Sequence, residues 1–389
     1  MAETYAFKPA DAADREIAAL HRHALQEEDP TIRARILAQM ARQLNRIGAF
    51  GPAYRALNQA AVLAPSEPDV LRSVGLAEFG RGRWEEGLAL YDRGRWQLPA
   101  FEKFRRAFPH PEWQGEPIQG KRLLVWAEQG IGDQVMHARV LPRLAAMGAK
   151  ITLESDPRLH PLAERLVPDI ACHTQTVALP EALVQGSFDY HGSMFSAWRW
   201  AGIQRSNPGY LLPNSSLVEA FRSAWARQGW TVNVGLSWRS RAAATGAKRS
   251  LPEELLAMIL PDRGWTYHTL QYDADDREVA VLSNMLGHEL WRDQGTDPTK
   301  DIDRLAALIA ALDLVISIDN STVHLAGALG TECWAILPAG SDWRWGPEGD
   351  ETPLYDRVRL FRHGGDGAWS GALSRVSARL ENWEPARRD

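Results

Sequence analysis

An internal repeat limits what the first quarter of this chain can fold into. Shifted by 34 residues, segment 34–67 overlays segment 68–101. Leu37 then meets Leu71, Met40 meets Val74, Ala41 meets Gly75, Gly48 meets Gly82, and Phe50 meets Trp84. The match continues with Ala53 on Gly87, Leu57 on Tyr91, Ala60 on Gly94, and Pro65 on Pro99. Large apolar residues recur where a groove must be filled, small ones where two helices cross closely, and proline closes each unit. A plain helical bundle would give the apolar period but not matched positions at one fixed offset. Residues 12–30, with Ile17, Leu20, Ala24 and Pro30, read as a leading helix that caps the array. Arrays of two units are short for independent stability.

After a Pro-, Gly- and aromatic-rich connector at 100–121, the pattern changes to alternating strands and helices. Segment 122–128 reads as a strand, and Gln129-Gly130-Ile131-Gly132-Asp133 as a turn into a helix reaching Met147. A strand at 150–156 and an amphipathic segment at 158–167 follow, while 170–192 resist parsing as strands. Turn formers at 204–216 suggest a hinge. The alternation restarts with strands at 231–238, 265–272, 312–319 and 332–337, and helices at 251–260, 275–286, 301–311, 320–329 and about 366–382. Such alternation predicts parallel, doubly wound sheets. The expected architecture is α/β with an all-α N-terminal part. Helical repeats occupy 1–110, one Rossmann-like half 121–210, and a second 211–389, with a ligand cleft at the strands' carboxyl ends.

Charge and cysteine content narrow the function. Lys plus Arg number 44 against 49 Asp plus Glu, a net −5, so no global attraction to nucleic acid exists. Cys172 and Cys333 stand alone, which excludes a disulfide framework and a cysteine-built zinc site. No apolar run reaches membrane-spanning length and no secretory leader is readable, so a cytoplasmic location is expected. Sixteen tryptophans suit domain seams more often than ligand stacking, and carry no function by themselves.

Three constellations could carry chemistry. Gly130 and Gly132 let backbone approach a ligand at a helix start, and Asp133 is either the cap of that helix or a base facing the cleft. The spacing is GxGD, not the dinucleotide GxGxxG. A buried strand then delivers Asp319, Asn320, Ser321 and Thr322 to a helix with His324 one turn in. One cap needs one of these four; together they suit a phosphate. Lastly, Ser237-Trp238-Arg239-Ser240 and Lys248-Arg249-Ser250 make a basic loop that could clamp a diphosphate or simply face solvent.

The 34-residue period resembles the tetratricopeptide repeat. The GxGD turn, the Lys-Arg-Ser-Leu-Pro loop and the ISIDNSTVHLAGALG segment, in that order, resemble the tetratricopeptide-linked, heptosyltransferase-like GT-B glycosyltransferases, over about 31–382. That resemblance implies inverting, metal-independent sugar transfer from a nucleotide-sugar donor to a protein or glycan hydroxyl, with no further cofactor. Asp133 falls where the family places its general base. Lys248 or Arg249 would neutralise the diphosphate, Asn320–Thr322 would bind it, and His324 falls at a donor position. Gly130, Gly132, Ser237 and Asp319 complete the expected donor site. Helical repeats make a protein or peptide acceptor plausible, a lipid-linked or polysaccharide one nearly as much.

Competing readings remain at this level. Asp273-Ala274-Asp275 has the letters of a metal-binding DxD pair, with helix capping as the alternative. A non-catalytic scaffold with a degenerate GT-B body, and an epimerase or hydrolase on the same fold, are the other two.

Overall fold

The computed structural model describes residues 12–202, 208–242, 246–340, 342–363 and 369–386. The chain divides into two compact units, one formed by residues 1–105 with 339–348, the other by 106–338 with 349–389. Among the described residues, no helix is long and apolar enough to cross a membrane.

The first unit is helical: α1 (Ala12–Gln26), α2 (Pro30–Arg46), α3 (Phe50–Leu63), α4 (Pro68–Gly80), α5 (Trp84–Arg95) and the short α6 (Pro99–Glu102). Proline opens α2 and α4, where its missing N–H costs nothing. The Asp29 carboxylate caps α2 by accepting from the Thr31 and Ile32 N–H groups. Gly48 and Gly82, matched in the repeat, both sit at φ +78° in the turns leading to α3 and α5. Leu37, Ala41, Ala53, Leu57 and Ala60 form the core with Ile17 of α1. Glycines set the α4–α5 crossing, because a Cβ at Gly75 would lie 2.5 Å from the Tyr91 nitrogen. Trp343 of the 339–348 segment meets Phe79 edge to face at 4.5 Å.

The second unit holds two sheets. In the first, β1 (Arg122–Trp126), β2 (Lys150–Ser155), β3 (Ala171–Thr174) and β4 (Tyr190–Ser193) run parallel in the order β3-β2-β1-β4. The second comprises β5 (Asn233–Ser237), β6 (Thr266–Thr269), β7 (Leu290–Trp291), β8 (Leu314–Ile318), β9 (Cys333–Leu337), β10 (Glu351–Thr352) and β11 (Tyr355–Arg362). Their order is β10-β11-β9-β8-β5-β6-β7, parallel except for β10. Strands β5, β8 and β9 are buried along their whole length, as central parallel strands must be.

Several expectations shift. The helix predicted to reach Met147 breaks into Ile131–His137 and Val140–Ala146. Pro142 explains the break, since its ring would clash with the carbonyl of Ala138 four residues back. The predicted 251–260 helix shrinks to Glu253–Ala257 behind Pro252. Segment 170–192 does contain strands, β3 and β4, and β11 and the Ser215–Arg227 helix were not anticipated. The proposed hinge lies partly outside the described residues, at 204–207. Its remainder is pinned: the Tyr210 and Leu211 N–H groups both donate to the Ala328 carbonyl, at 2.7 and 2.8 Å. The last helix spans Ser370–Glu381; 366–368 lie outside the described residues, as do 243–245 of the basic loop.

Candidate functional site

The chain runs from β5 outward through β6 and β7, then returns to place β8 on the other side of β5. That reversal makes the β5–β8 boundary a topological switch point, where open α/β sheets bind ligands beyond the strands' carboxyl ends. The first sheet reverses likewise between β1 and β4.

A buried amide network closes the β5–β8 point. Asn320 caps the Ser321–Leu329 helix, its Oδ1 accepting from the Thr322 N–H at 2.9 Å and the Ser317 hydroxyl at 3.1 Å. Its Nδ2 donates to the Ser237 hydroxyl at 2.8 Å. Ser237 in turn donates to Gln271 Oε1 at 3.3 Å, and the same oxygen takes the Trp238 and Arg239 N–H groups. All three side chains are buried. Ser237 and Asn320, expected to hold a ligand directly, thus also hold three strands and the start of the basic loop together. Gln271 was not anticipated at all.

Among the described residues of the basic loop, the arginines are paired. Arg239 bridges Asp273 and Glu278, and Arg241 pairs with Asp273. Burial alone would raise the Asp273 pKa; hydrogen bonds from Gln271 and Arg239, with the charges of Arg239 and Arg241, outweigh it and hold the carboxylate below its usual range. The Arg239 hydrogen bond likewise keeps Glu278 low. Asp275 caps the Asp276–Leu286 helix through a capping box with Glu278. Both carboxylates of the DxD-like triplet are therefore held by protein groups. Arg249 lies 3.3 Å from the carboxylate of Asp319 and 3.4 Å from the Ser240 hydroxyl, on a short helical turn, Gly246–Arg249, where a loop was expected. Lys248 beside it is exposed.

In the GxGD turn, Gly130 occupies the N-cap position of the Ile131–His137 helix, so Asp133 is not the cap; it stands half-buried in the first turn. The left-handed backbone falls on Gln129, at φ +66°, rather than on either glycine. Such an outlier in a non-glycine residue is uncommon and concentrates at functional sites. Gly132 serves close approach instead. A Cβ there would lie 3.2 Å from His324 Cδ2 and 3.3 Å from Ser321 Cα. His324 is buried, its Nδ1 3.0 Å from the Tyr355 hydroxyl. Gly132, Ser321 and His324 are thereby brought together, with Asp133 next in the chain. Among the described residues no group of three or more His, Cys, Asp or Glu is arranged to hold a metal ion.

Two parallel α/β sheets with a glycine turn of one against the polar helix start of the other define an open α/β body with its candidate site at paired switch points. No protein-family model matches the chain. It is 31% identical over 351 residues to Protein FlbA of Caulobacter vibrioides, an alignment covering 84% of this chain. The chain spans 58% of the length of that relative. Among solved structures, it is similar to a glycosyl transferase family 9 protein from Veillonella parvula (12% identity, TM-score 0.47, covering 64% of this chain and 88% of that one). It is also similar to the ADP-heptose LPS heptosyltransferase II of E. coli (16%, 0.47, 67% and 99%). A mutant O-GlcNAc transferase from Thermobaculum terrenum aligns over 96% of this chain and 94% of its own, at 14% identity and a TM-score of 0.32.

Proposed function

We propose that this chain is a glycosyltransferase of the GT-B class, transferring a sugar from a nucleotide-sugar donor to a hydroxyl of a protein or glycan, with inversion and without a metal. The observation that carries the reading is the placement of Gly132 against Ser321 and His324, which sets Asp133 beside the start of the Ser321–Leu329 helix. The sugar class comes from the sequence resemblance, and the geometry supports it by bringing the two motifs of that resemblance together.

In this reading the Asp133 carboxylate takes the proton of the acceptor hydroxyl as its oxygen attacks the anomeric carbon. The bond from that carbon to the nucleoside diphosphate breaks, and the diphosphate leaves with the electron pair. Its charge is met by the positive end of the Ser321–Leu329 helix and by Arg249 and Lys248. Because Asn320 already occupies the Thr322 N–H, Ser321 is the residue of that turn best placed to contact the phosphate. The paired helices of the first unit act as tetratricopeptide-like repeats that present a protein acceptor, and the enzyme works in the cytoplasm.

A thermal-shift panel of UDP, GDP, CMP, ADP and their sugar conjugates, with and without chelator, tests the reading. A nucleotide at one hundred times its dissociation constant should add about 2.7 kcal/mol. Stabilisation by one nucleotide regardless of chelator is expected. Silence towards all of them would leave a scaffold that binds partners only.

A further inference from the structure

The helical unit contains a cleft of about 280 Å³ whose lining includes Arg42, Arg46, Arg72 and Arg81 with Tyr54 and Trp343. Its far wall lies outside helices α1–α6. Residues 339–348 supply it, and their backbone is pressed in: a Cβ at Gly340 would lie 2.2 Å from the Arg46 carbonyl oxygen. A Cβ at Gly48 would lie 2.8 Å from the Ala339 carbonyl oxygen. The cleft is thus a built feature, closed by a segment far away in sequence.

Its charge is unbalanced. Asp69 serves both Arg42, at 2.7 Å, and Arg72, at 3.5 Å. The Arg72 Nε is buried without a hydrogen-bond partner. Arg81 lies over the Tyr54 ring at 3.7 Å, and Arg46 donates to Gln43 at 3.0 Å. Among the described residues, neither Arg46 nor Arg81 forms an ion pair with a carboxylate. The lining's own acid, Asp342, pairs with Arg344. Arg81, over the Tyr54 ring and without a carboxylate partner among the described residues, keeps N–H groups of the kind with which arginine recognises carboxylates.

We infer that this cleft binds an acidic peptide segment, its Asp or Glu carboxylates meeting Arg46, Arg72 and Arg81 while an apolar side chain packs on Tyr54 and Trp343. The inference rests on the protein-acceptor reading above and names the chemistry of that acceptor. The cleft's small volume suits one or two side chains of a longer segment, so specificity lies in the pairing of acid with apolar residue.

The test is an array of short peptides of Asp, Glu, Leu and Phe, beside isosteric Asn/Gln and basic Lys versions, probed with the full chain. Retention should require the acids and weaken at high salt. The double variant Arg46→Glu/Arg81→Glu, both exposed positions, should weaken binding at least about tenfold with the melting transition retained. Retention indifferent to peptide charge, or unchanged in the variant, overturns the inference. So does equal displacement by inorganic phosphate, which would assign the cleft to phosphate. Nucleotide response is measured on the same samples. Acid-dependent binding without it supports the cleft while removing the transferase, and nucleotide response without peptide discrimination does the reverse.

Discussion

Gly132 and Ser321 lie so close that a Cβ at Gly132 would come within 3.3 Å of the Ser321 Cα, although the two residues belong to different sheets' helices. Contacts of that length force the neighbour to give by tenths of an ångström. Gly132→Ala therefore carries two opposed effects. Alanine favours the Ile131–His137 helix by about 1 kcal/mol, while the added methyl pushes on the Ser321–Leu329 helix. The net change in unfolding free energy should stay within about 1 kcal/mol. If the proposed transfer runs at this site, catalysis should suffer more, because small displacements between reacting groups cost large factors in rate. We expect turnover to fall more than about tenfold in an assay where the melting temperature barely moves; normal turnover would show that this approach has no catalytic role.

Asp133→Asn keeps the size of the side chain and removes the base of the proposed mechanism. Loss of general-base catalysis typically costs about 10²–10⁴-fold in rate. Turnover should drop by that range while nucleotide affinity, measured by titration calorimetry, stays within a few-fold. Unchanged turnover would take Asp133 out of the mechanism.

What the sequence revealed and hid follows from where each residue's partners lie. Strands β5, β8 and β9 stand out because both faces are buried and their residues are almost all apolar. Strand β4, Tyr190–Ser193, is buried yet polar, and His191 is there to take the Trp126 indole N–H at 3.2 Å, a partner invisible in the local pattern. Strand β11 puts Asp356 and Arg357 on exposed positions and Arg359 on a half-buried one, which reads as a loop. The Asp319–Thr322 run was legible because a polar cluster after a buried strand must sit at a helix start. Gln271 was not, since its task appears only when β6 is laid beside β5.

Asn320→Ala removes a cap and a buried donor at once. A lost cap costs roughly 1 kcal/mol, and the buried hydrogen bonds lost to the Ser237 and Ser317 hydroxyls about 1 kcal/mol each. Urea unfolding should show a loss of about 2–4 kcal/mol. Asn320→Ser should restore the cap alone and recover only part of it. Full wild-type stability in Asn320→Ser would mean that the Ser237 bond contributes nothing.

His268 should make the second sheet acid-sensitive. It is fully buried among Trp225, Trp230 and Trp291, and its Nε2 lies 2.9 Å from Asn233 Oδ1. Burial lowers its pKa from 6.5 to about 3. A depressed histidine pKa stabilises the fold at pH above 6.5, and that contribution is lost as pH falls towards 3. Between pH 7 and pH 5 the loss should reach about 2 kcal/mol. His268→Gln, which can still donate to Asn233, should flatten the pH dependence over this interval. An unaltered slope in the variant would place the acid sensitivity elsewhere.

The helical unit offers a paired test in which one substitution has opposite signs at two sites. A Cβ at Gly87 of α5 would lie 2.8 Å from the Gly75 carbonyl oxygen and 2.9 Å from the Phe79 nitrogen, both backbone atoms that cannot swing aside. At Gly51 of α3 the nearest atom would be the flexible tip of Arg55, at 3.7 Å. Alanine gains about 1 kcal/mol of helix propensity at either place, but overpacking of the α4–α5 crossing costs about 1–3 kcal/mol at Gly87 only. Gly51→Ala should raise the melting temperature or leave it unchanged, whereas Gly87→Ala should lower it and reduce acidic-peptide retention. If both variants melt alike, the close crossing read from the 34-residue repeat does not govern the stability of this unit.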